Sequence, residues 1–445
     1  MVRRFLSAFT HEVRGLHEAA YLLAALALFS QLLGLIRDRL LAGSFGAGET
    51  LDIYYAAFRV PDLLFATVAS LLSLYALLPV LSRLEEENQG LAISFLRRSL
   101  VVFFLGMAAV AGVAFFLAPL VVPLIAPGIV GDAARADLIL LTRMLLLQPI
   151  LLGASNIVAS LTQLRHRFLL YAVSPLLYNL GIIAGIVLLY PVLGITGLGW
   201  GVLIGASMHF LVQAGFFAKE GTVGQTLPPS RFWSSLWEVL WLSVPRTLSL
   251  ASGQVSLLIL VALASFFAPG SIAVFMFAFN LQAVPLTIIG VSYSVAAFPT
   301  LARLFASGSN KEYLWHIEVA LRHILFWTLP ATVLIIVLRA QIVRSILGSG
   351  AFDWSATRLT AAALALFILS LVAQSITLLI ARAYYAAGKT AIPLKLGVLS
   401  VVVSVGSALS LVALFHAHPL TRYFLESTLR VADIPGTTVL MLSLG

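Results

Sequence analysis

The 445-residue chain contains no cysteine, and charged residues make up only 10% of it. The absence of cysteine excludes disulfide bonds and thiolate metal sites. Soluble domains carry about 25% charged and about 45–50% apolar residues, whereas 61% of this chain is hydrophobic. The scarcity of charge therefore excludes a soluble protein with one anchor and indicates an integral membrane protein throughout.

Acidic residues are scarcer than basic ones, with 18 Asp and Glu against 27 Lys and Arg and a net charge of +9. In a soluble protein this balance would suggest a nucleic-acid partner. In a membrane protein it is explained by basic residues in cytoplasmic loops. We therefore predict membrane lipid, and no nucleic acid, as a partner.

Long apolar runs make up most of the sequence. A helix needs about 20 apolar residues to cross the hydrocarbon core. About eleven such runs occur, and a twelfth begins at Ile434. The runs lie near 19–41, 53–81, 99–123, 138–162, 169–191, 197–217, 236–263, 271–300, 317–338, 357–381 and 392–415. The chain is predicted to be an all-α polytopic membrane protein with about 11–12 transmembrane helices.

The sequence also contains an internal repeat. Phe45–Pro61 is similar to Phe267–Pro285, and three further pairs of segments follow in the same order at an offset of about 220 residues. Six spans per copy make the repeat parallel, an arrangement found in transporters whose bundles rock about a central site. We predict two six-helix bundles around a central cavity, with boundaries 1–218, a cytoplasmic linker 219–235, and 236–445. The last bundle is expected to be truncated, because its sixth helix stops at about half the needed length.

Orientation follows from the basic residues. With the N-terminus inside, the inner segments hold 14 Lys and Arg and the outer segments eight. This bias predicts a cytoplasmic N-terminus.

The stretch from Gly34 to Pro79 concentrates the rare charges. Between two apolar segments, or inside them, lie Arg37, Asp38, Arg39, Asp52, Arg59 and Asp62. Ionisable groups in such places are costly, and they normally face a protein interior or a water-filled cavity. We therefore predict that this stretch forms one wall of a polar cavity in a transporter.

The same stretch resembles the MurJ/MviN lipid II flippase family of the MOP transporter superfamily. The resembling residues begin with LGLIRDRLLAGSFGAG at Leu33, and specific matches follow at 342–366 and 381–397. The resemblance implies the MOP fold with a cationic cavity, further helices beyond Gly445, and transport of the peptidoglycan precursor lipid II across the bacterial inner membrane by alternating access. The sequence departs from the family pattern at two places: Ser30-Gln31 replaces Ser-Arg, and Phe279-Asn280 replaces Asp-Arg. The carboxylates of the family's proposed sodium site are also not evident.

A polyprenyl-diphosphate cargo demands fixed positive charge, and arginine can bind phosphate oxygens in pairs. The predicted substrate-binding residues are Arg37, Arg59, Arg246, Gln31 and Asn280. The predicted gating or ion-pair residues are Asp38, Asp52 and Asp62. Each arginine has a plainer interpretation: Arg37 could pair with Asp38 or Asp52, Arg59 could be neutralised by Asp62 on the same helix face, and Arg246 could snorkel to the interface.

Two alternatives stay open beside the lipid II flippase. One is another MOP transporter, either an oligosaccharide-lipid flippase or a multidrug/cation antiporter, although the excess of arginine favours an anionic cargo. The other is a scaffold homologue that has kept the fold and lost transport. No nucleophile–base constellation or metal spacing is evident, so we predict neither an enzyme nor a cofactor. Coupling to the membrane potential or to ions is expected from the transport hypothesis.

Overall fold

The computed structural model describes residues 16–219 and 226–445, and within these ranges the chain folds into helices and contains no strand. The predicted all-α class is therefore confirmed. The helices of the first half are α1 (Leu16–Phe45), α2 (Glu49–Ala57), α3 (Arg59–Thr67), α4 (Leu74–Glu87), α5 (Gln89–Ile125), α6 (Asp132–Leu145), α7 (Leu147–Leu164), α8 (Phe168–Ala184), α9 (Tyr190–Leu193) and α10 (Ile195–Lys219). Those of the second half are α11 (Pro229–Ser265), α12 (Ser271–Pro285), α13 (Ser292–Ala306), α14 (Asn310–Ile346), α15 (Trp354–Leu369), α16 (Leu371–Ala386), α17 (Ala391–Ala417), α18 (Pro419–Leu429) and α19 (Val439–Leu444).

Eight helices in the described ranges are long and apolar enough to cross a membrane, or ten if two bent pairs each count as one span. The bent pairs are Glu49–Thr67 with Ala69–Glu87 and Trp354–Leu369 with Leu371–Ala386. The 30-residue helix α1 lies at the first predicted span. The positions of the spans therefore follow the hydropathy of the sequence.

The repeat is visible in the helix starts. Helices α2 and α12 begin at Glu49 and Ser271, and α6 and α15 begin at Asp132 and Trp354. Each pair is separated by about 220 residues, the predicted offset. Gly46, after α1, and Gly350, before α15, have positive φ angles, a backbone conformation that glycine adopts without steric cost.

Two helices begin outside the predicted apolar spans. Helix α11 begins at Pro229, inside the predicted linker 219–235, since proline is favoured in the first turn of a helix. Residues 220–225 of that linker lie outside the described ranges. Helix α18, which follows the predicted span 392–415, likewise begins at a proline, Pro419.

The chain divides into two compact units that do not follow the repeat. The first comprises the described parts of Met1–Arg37, Ala57–Leu124 and Val130–Gln254. The second comprises Asp38–Ala56, Ile125–Ile129 and Val255–Gly445. These boundaries differ from the predicted ones at 218 and 236. The division into two repeat-related bundles stays a prediction.

In the first unit, α8 and α10 are in backbone contact through glycines. A Cβ atom on Gly201 would lie 2.5 Å from the Cα of Gly185, and one on Gly181 would lie 2.3 Å from the Cα of Gly205. Small residues let membrane helices approach closely and gain van der Waals contact. Gly185 opens a π-helical turn, Gly185–Leu189, and a second such turn is formed by Leu286–Val291 in the other unit.

The second unit contains a polar bend and a buried terminal helix. At the bend between α15 and α16, the Ser370 hydroxyl accepts hydrogen bonds from Gln282 (2.9 Å) and Gln374 (2.7 Å). The side chains of Val439–Leu442 in α19 are at most 1% exposed. The preceding loop is tied to α15 by an ion pair between Arg358 and Asp433 (2.6 Å). The hydrogen bond from Arg358 lowers the pKa of Asp433 below its ordinary value.

Candidate functional site

Arg37 is held by an amide in the first unit. Its Nη1 donates to Asn179 Oδ1 over 3.2 Å, and Asn179 in turn donates to the Pro175 carbonyl (3.2 Å) and the Ser30 hydroxyl (3.4 Å). This hydrogen bond orients the guanidinium of Arg37. Arg37 is half-buried, which is the setting expected of a cationic group that meets an anionic ligand.

Arg59 and Asp62 form an ion pair on α3. Their closest N–O distance is 3.3 Å, and the Arg59 side chain is only 5% exposed. This is the neutralised arrangement that the spacing of three residues allows. The ion pair weakens the case for Arg59 as a substrate ligand, and its role stays a prediction.

Gln31 and Arg246 are half-buried in the same unit, on α1 and α11. Gln31 follows Ser30, which accepts a hydrogen bond from Asn179. Arg246 precedes Thr247, whose hydroxyl lies 2.9 Å from that of Ser70. Gln31 is thus one residue from the polar group around Arg37, and Arg246 is one residue from the contact between Thr247 and Ser70.

In the second unit, two carboxylates hold α12. Asp38 is 4% exposed and accepts a hydrogen bond from the Asn280 side chain over 3.1 Å. Asp52 is 6% exposed and accepts hydrogen bonds from the main-chain N–H groups of Gly270 (2.6 Å) and Ala273 (2.8 Å). These N–H groups are among the donors that a helix N-terminus cannot satisfy internally, so Asp52 caps α12.

The predicted ion-pair residues therefore have partners of different kinds. Asp62 pairs with an arginine as predicted. The two oxygens of the Asp52 carboxylate bind the terminus of α12, and its pairing with Arg37 stays a prediction. The terminus is a suitable partner because a carboxylate complements the partial positive charge of a helix N-terminus. Participation of Asp38, Asp52 or Asp62 in gating stays a prediction.

A buried polar network in the first unit was not predicted. His209 Nδ1 lies 2.8 Å from the Ser155 hydroxyl, and Gln213 donates to the hydroxyls of Ser155 (2.9 Å) and Ser174 (3.1 Å). The network joins α7, α8 and α10. The available signal was the spacing of four residues between His209 and Gln213, which places both on one face of α10. Buried polar side chains of this kind connect membrane helices.

Comparison with known proteins identifies the family. The family model described as "Lipid II flippase MurJ" matches residues 41–421. A probable lipid II flippase MurJ of Rhizobium tropici is 29% identical over 394 residues, which cover 86% of this chain and 73% of the relative. A lipid II flippase MurJ of Burkholderia cenocepacia is 26% identical over 397 residues, covering 87% and 77%.

Solved structures show the same fold. A lipid II flippase MurJ in an inward closed conformation matches with a TM-score of 0.73 and 23% identity, covering 95% of this chain and 84% of that one. An inward-facing multidrug resistance MATE family transporter of the MOP superfamily matches with a TM-score of 0.73 and 17% identity, covering 93% and 92%. The predicted MOP fold is thereby confirmed, and the match of the family model over most of the sequence shows that this chain belongs to the lipid II flippase MurJ family.

Proposed function

We propose that the chain translocates lipid II, a polyprenyl-diphosphate-linked peptidoglycan precursor, across the bacterial inner membrane by alternating access. The family, whose named members are lipid II flippases, supports this cargo. The single structural observation that carries the proposal is Arg37, whose guanidinium is oriented by Asn179. A fixed guanidinium can form strong paired hydrogen bonds with diphosphate oxygens.

Arg37→Ala is expected to abolish flipping while the protein folds normally, and Arg37→Lys to retain part of the activity, because lysine keeps the charge and loses the planar fork. The measurement is growth of bacteria depleted of their own flippase and supplied with each variant. Arg322→Ala is a suitable control, since this arginine forms an exposed ion pair with Glu318. Growth with Arg37→Ala equal to wild type would remove Arg37 from the substrate site.

The alternative transporters receive less support. Multidrug MATE proteins share the fold, but the sequence relatives are named lipid II flippases. If the chain were a scaffold without transport activity, the wild-type protein itself would insert correctly but fail to restore growth. Membership of a flippase family favours a transporter over an enzyme.

We further propose a cytoplasmic N-terminus, supported by the distribution of basic residues. The segment itself lies outside the described residues. Because the chain has no cysteine, single cysteines report on sidedness without background. Ala8→Cys should react with an impermeant maleimide only after the cells are permeabilised. Val130→Cys, at an exposed position after α5, should react in intact cells; the reverse pattern would invert the topology.

A further inference from the structure

Helix α18 exposes an apolar face formed by Leu420, Tyr423 and Phe424. These side chains are 83%, 68% and 66% exposed. Their spacing of three and four residues places them on one side of the helix. Ser427, which is also exposed, extends this side by one further turn without adding charge. Large apolar side chains that share one exposed face mark an interaction surface, whereas scattered single ones do not.

The opposite side of α18 is fastened to the rest of the second unit. Glu426 is 7% exposed, and its Oε1 accepts hydrogen bonds from Arg422 (3.0 Å) and Thr437 (2.6 Å). The turn that follows α18 is held by the ion pair between Arg358 and Asp433. Rotation of α18 to bury its apolar face would break these polar contacts, so the face is fixed outwards.

Helix α18 connects two neighbouring membrane segments. Helix α17 is long and apolar enough to cross a membrane and ends at Ala417. Leu420 follows three residues later, a stretch that covers at most about 10 Å. Helix α19 then runs back along α17, because the Gly445 carbonyl accepts a hydrogen bond from Ser407 over 3.1 Å, and Ser407 lies about 15 Å before the end of α17. Helix α18 therefore lies at one surface of the bilayer.

Lipid is the partner that fits this position and composition. Tyrosine is enriched where membrane meets water, because its ring is apolar and its hydroxyl is polar. The apolar face contains no lysine or arginine, and Arg422 on the opposite side is paired with Glu426. Contact with lipid through this face therefore depends on apolar burial and not on the charge of the headgroups.

We propose that α18 is an interfacial helix whose apolar face inserts into the boundary between the headgroups and the acyl chains of one leaflet. Helices of this kind lie in the plane of the interface. The insertion fixes the depth of α17 in the bilayer, since only His418 separates the two helices. The proposal concerns the placement of the second unit in the membrane and does not depend on the identity of the cargo.

The test is electron paramagnetic resonance of single spin labels on the full chain in phosphatidylcholine liposomes. The absence of cysteine allows one label in each variant. A label on Phe424→Cys is expected about 5–10 Å below the level of the headgroups, with high accessibility to oxygen and low accessibility to a water-soluble nickel chelate. Val402→Cys, at an exposed position near the middle of α17, calibrates the hydrocarbon core. Glu86→Cys, at an exposed position of α4, calibrates water.

A charge placed on the apolar face should withdraw it from the lipid. Leu420→Glu is expected to raise the accessibility of the Phe424→Cys label to the nickel chelate about threefold, because a carboxylate is costly at that depth. Ala432→Glu, which adds the same charge at an exposed position beyond α18, should leave the label unchanged. Replacement of about a third of the phosphatidylcholine by phosphatidylglycerol should also leave its depth unchanged, since the face carries no charge for anionic lipid to attract.

Two outcomes would overturn the proposal. A Phe424→Cys label as accessible to the nickel chelate as the label on Glu86→Cys would place the apolar face in water. A label shielded from both reagents would show that another part of the protein or a second copy covers the face. Thermal unfolding verifies that each variant is folded, and Tyr423→Cys provides the same measurement if Phe424→Cys does not fold.

Discussion

Replacement of Gly201 by leucine is expected to prevent the first unit from folding. A Cβ at this position would meet the Gly185 Cα at 2.5 Å and the Gly181 carbonyl oxygen at 3.0 Å. Both are backbone atoms, so no side chain can move aside and α8 and α10 must separate. Overpacking alone costs about 1–3 kcal/mol and occasionally more, and separation also loses the close packing of the helix pair. The expected loss exceeds about 3 kcal/mol.

The measurement is the yield of monodisperse protein in detergent, together with its thermal unfolding. Gly215→Leu is the matched control, because this glycine lies on the same helix with open space around its Cβ position. Gly201→Ala should fall between the two variants. If Gly201→Leu unfolds at the same temperature as Gly215→Leu, then the close contact between the helices does not contribute to stability.

Asp52→Ala is expected to destabilise the second unit by about 3 kcal/mol, the loss of two buried charge-assisted hydrogen bonds at a helix N-terminus. The N–H groups of Gly270 and Ala273 would lose their acceptor. Asp52→Asn should cost less, because one carbonyl oxygen still accepts. Thermal unfolding in detergent measures both variants.

The control for Asp52 is Asp132→Ala, which removes an exposed carboxylate at the first residue of α6 and should change stability by less than about 0.5 kcal/mol. Comparison of stability with transport also separates two roles for Asp52. If Asp52 caps α12, Asp52→Ala should lower the stability of the protein. Unchanged stability with abolished transport would contradict the capping role and favour the gating role predicted from the sequence.

The sequence predicts the helical fold well because lipid imposes a simple rule. A spanning segment must be long, apolar and helical, since no water is present to satisfy its backbone groups. The starts of α2 and α12 are likewise separated by about the offset that the repeat predicts. The helix starts at Pro229 and Pro419 lie outside the predicted apolar spans, where hydropathy is not informative.

The sequence identified the unusual residues of the candidate site more successfully than it identified the residues that they contact. Charge scarcity singled out Arg37, Asp38 and Asp52 as unusual. The partners that determine their roles are distant in sequence: Asp38 and Asn280 are separated by 242 positions, and Asp52 and Gly270 by 218. Local spacing identifies only pairs such as Arg59 and Asp62, which lie three residues apart. A carboxylate that caps a distant helix leaves no periodic pattern in the sequence.

The π-helical turns at Gly185–Leu189 and Leu286–Val291 have a consequence for alignments with relatives. A π turn accommodates one extra residue within a helix, and it places Gly185 against Gly201 and Gly290 against Ser375. A relative with a regular α-helix at either position would need one residue fewer. The single-residue gap in an alignment with that relative would then fall in the middle of a membrane span. An alignment method that allows gaps only in loops would shift the following residues of that helix by one position. Each of these residues would be misplaced by about 100° around the helix axis.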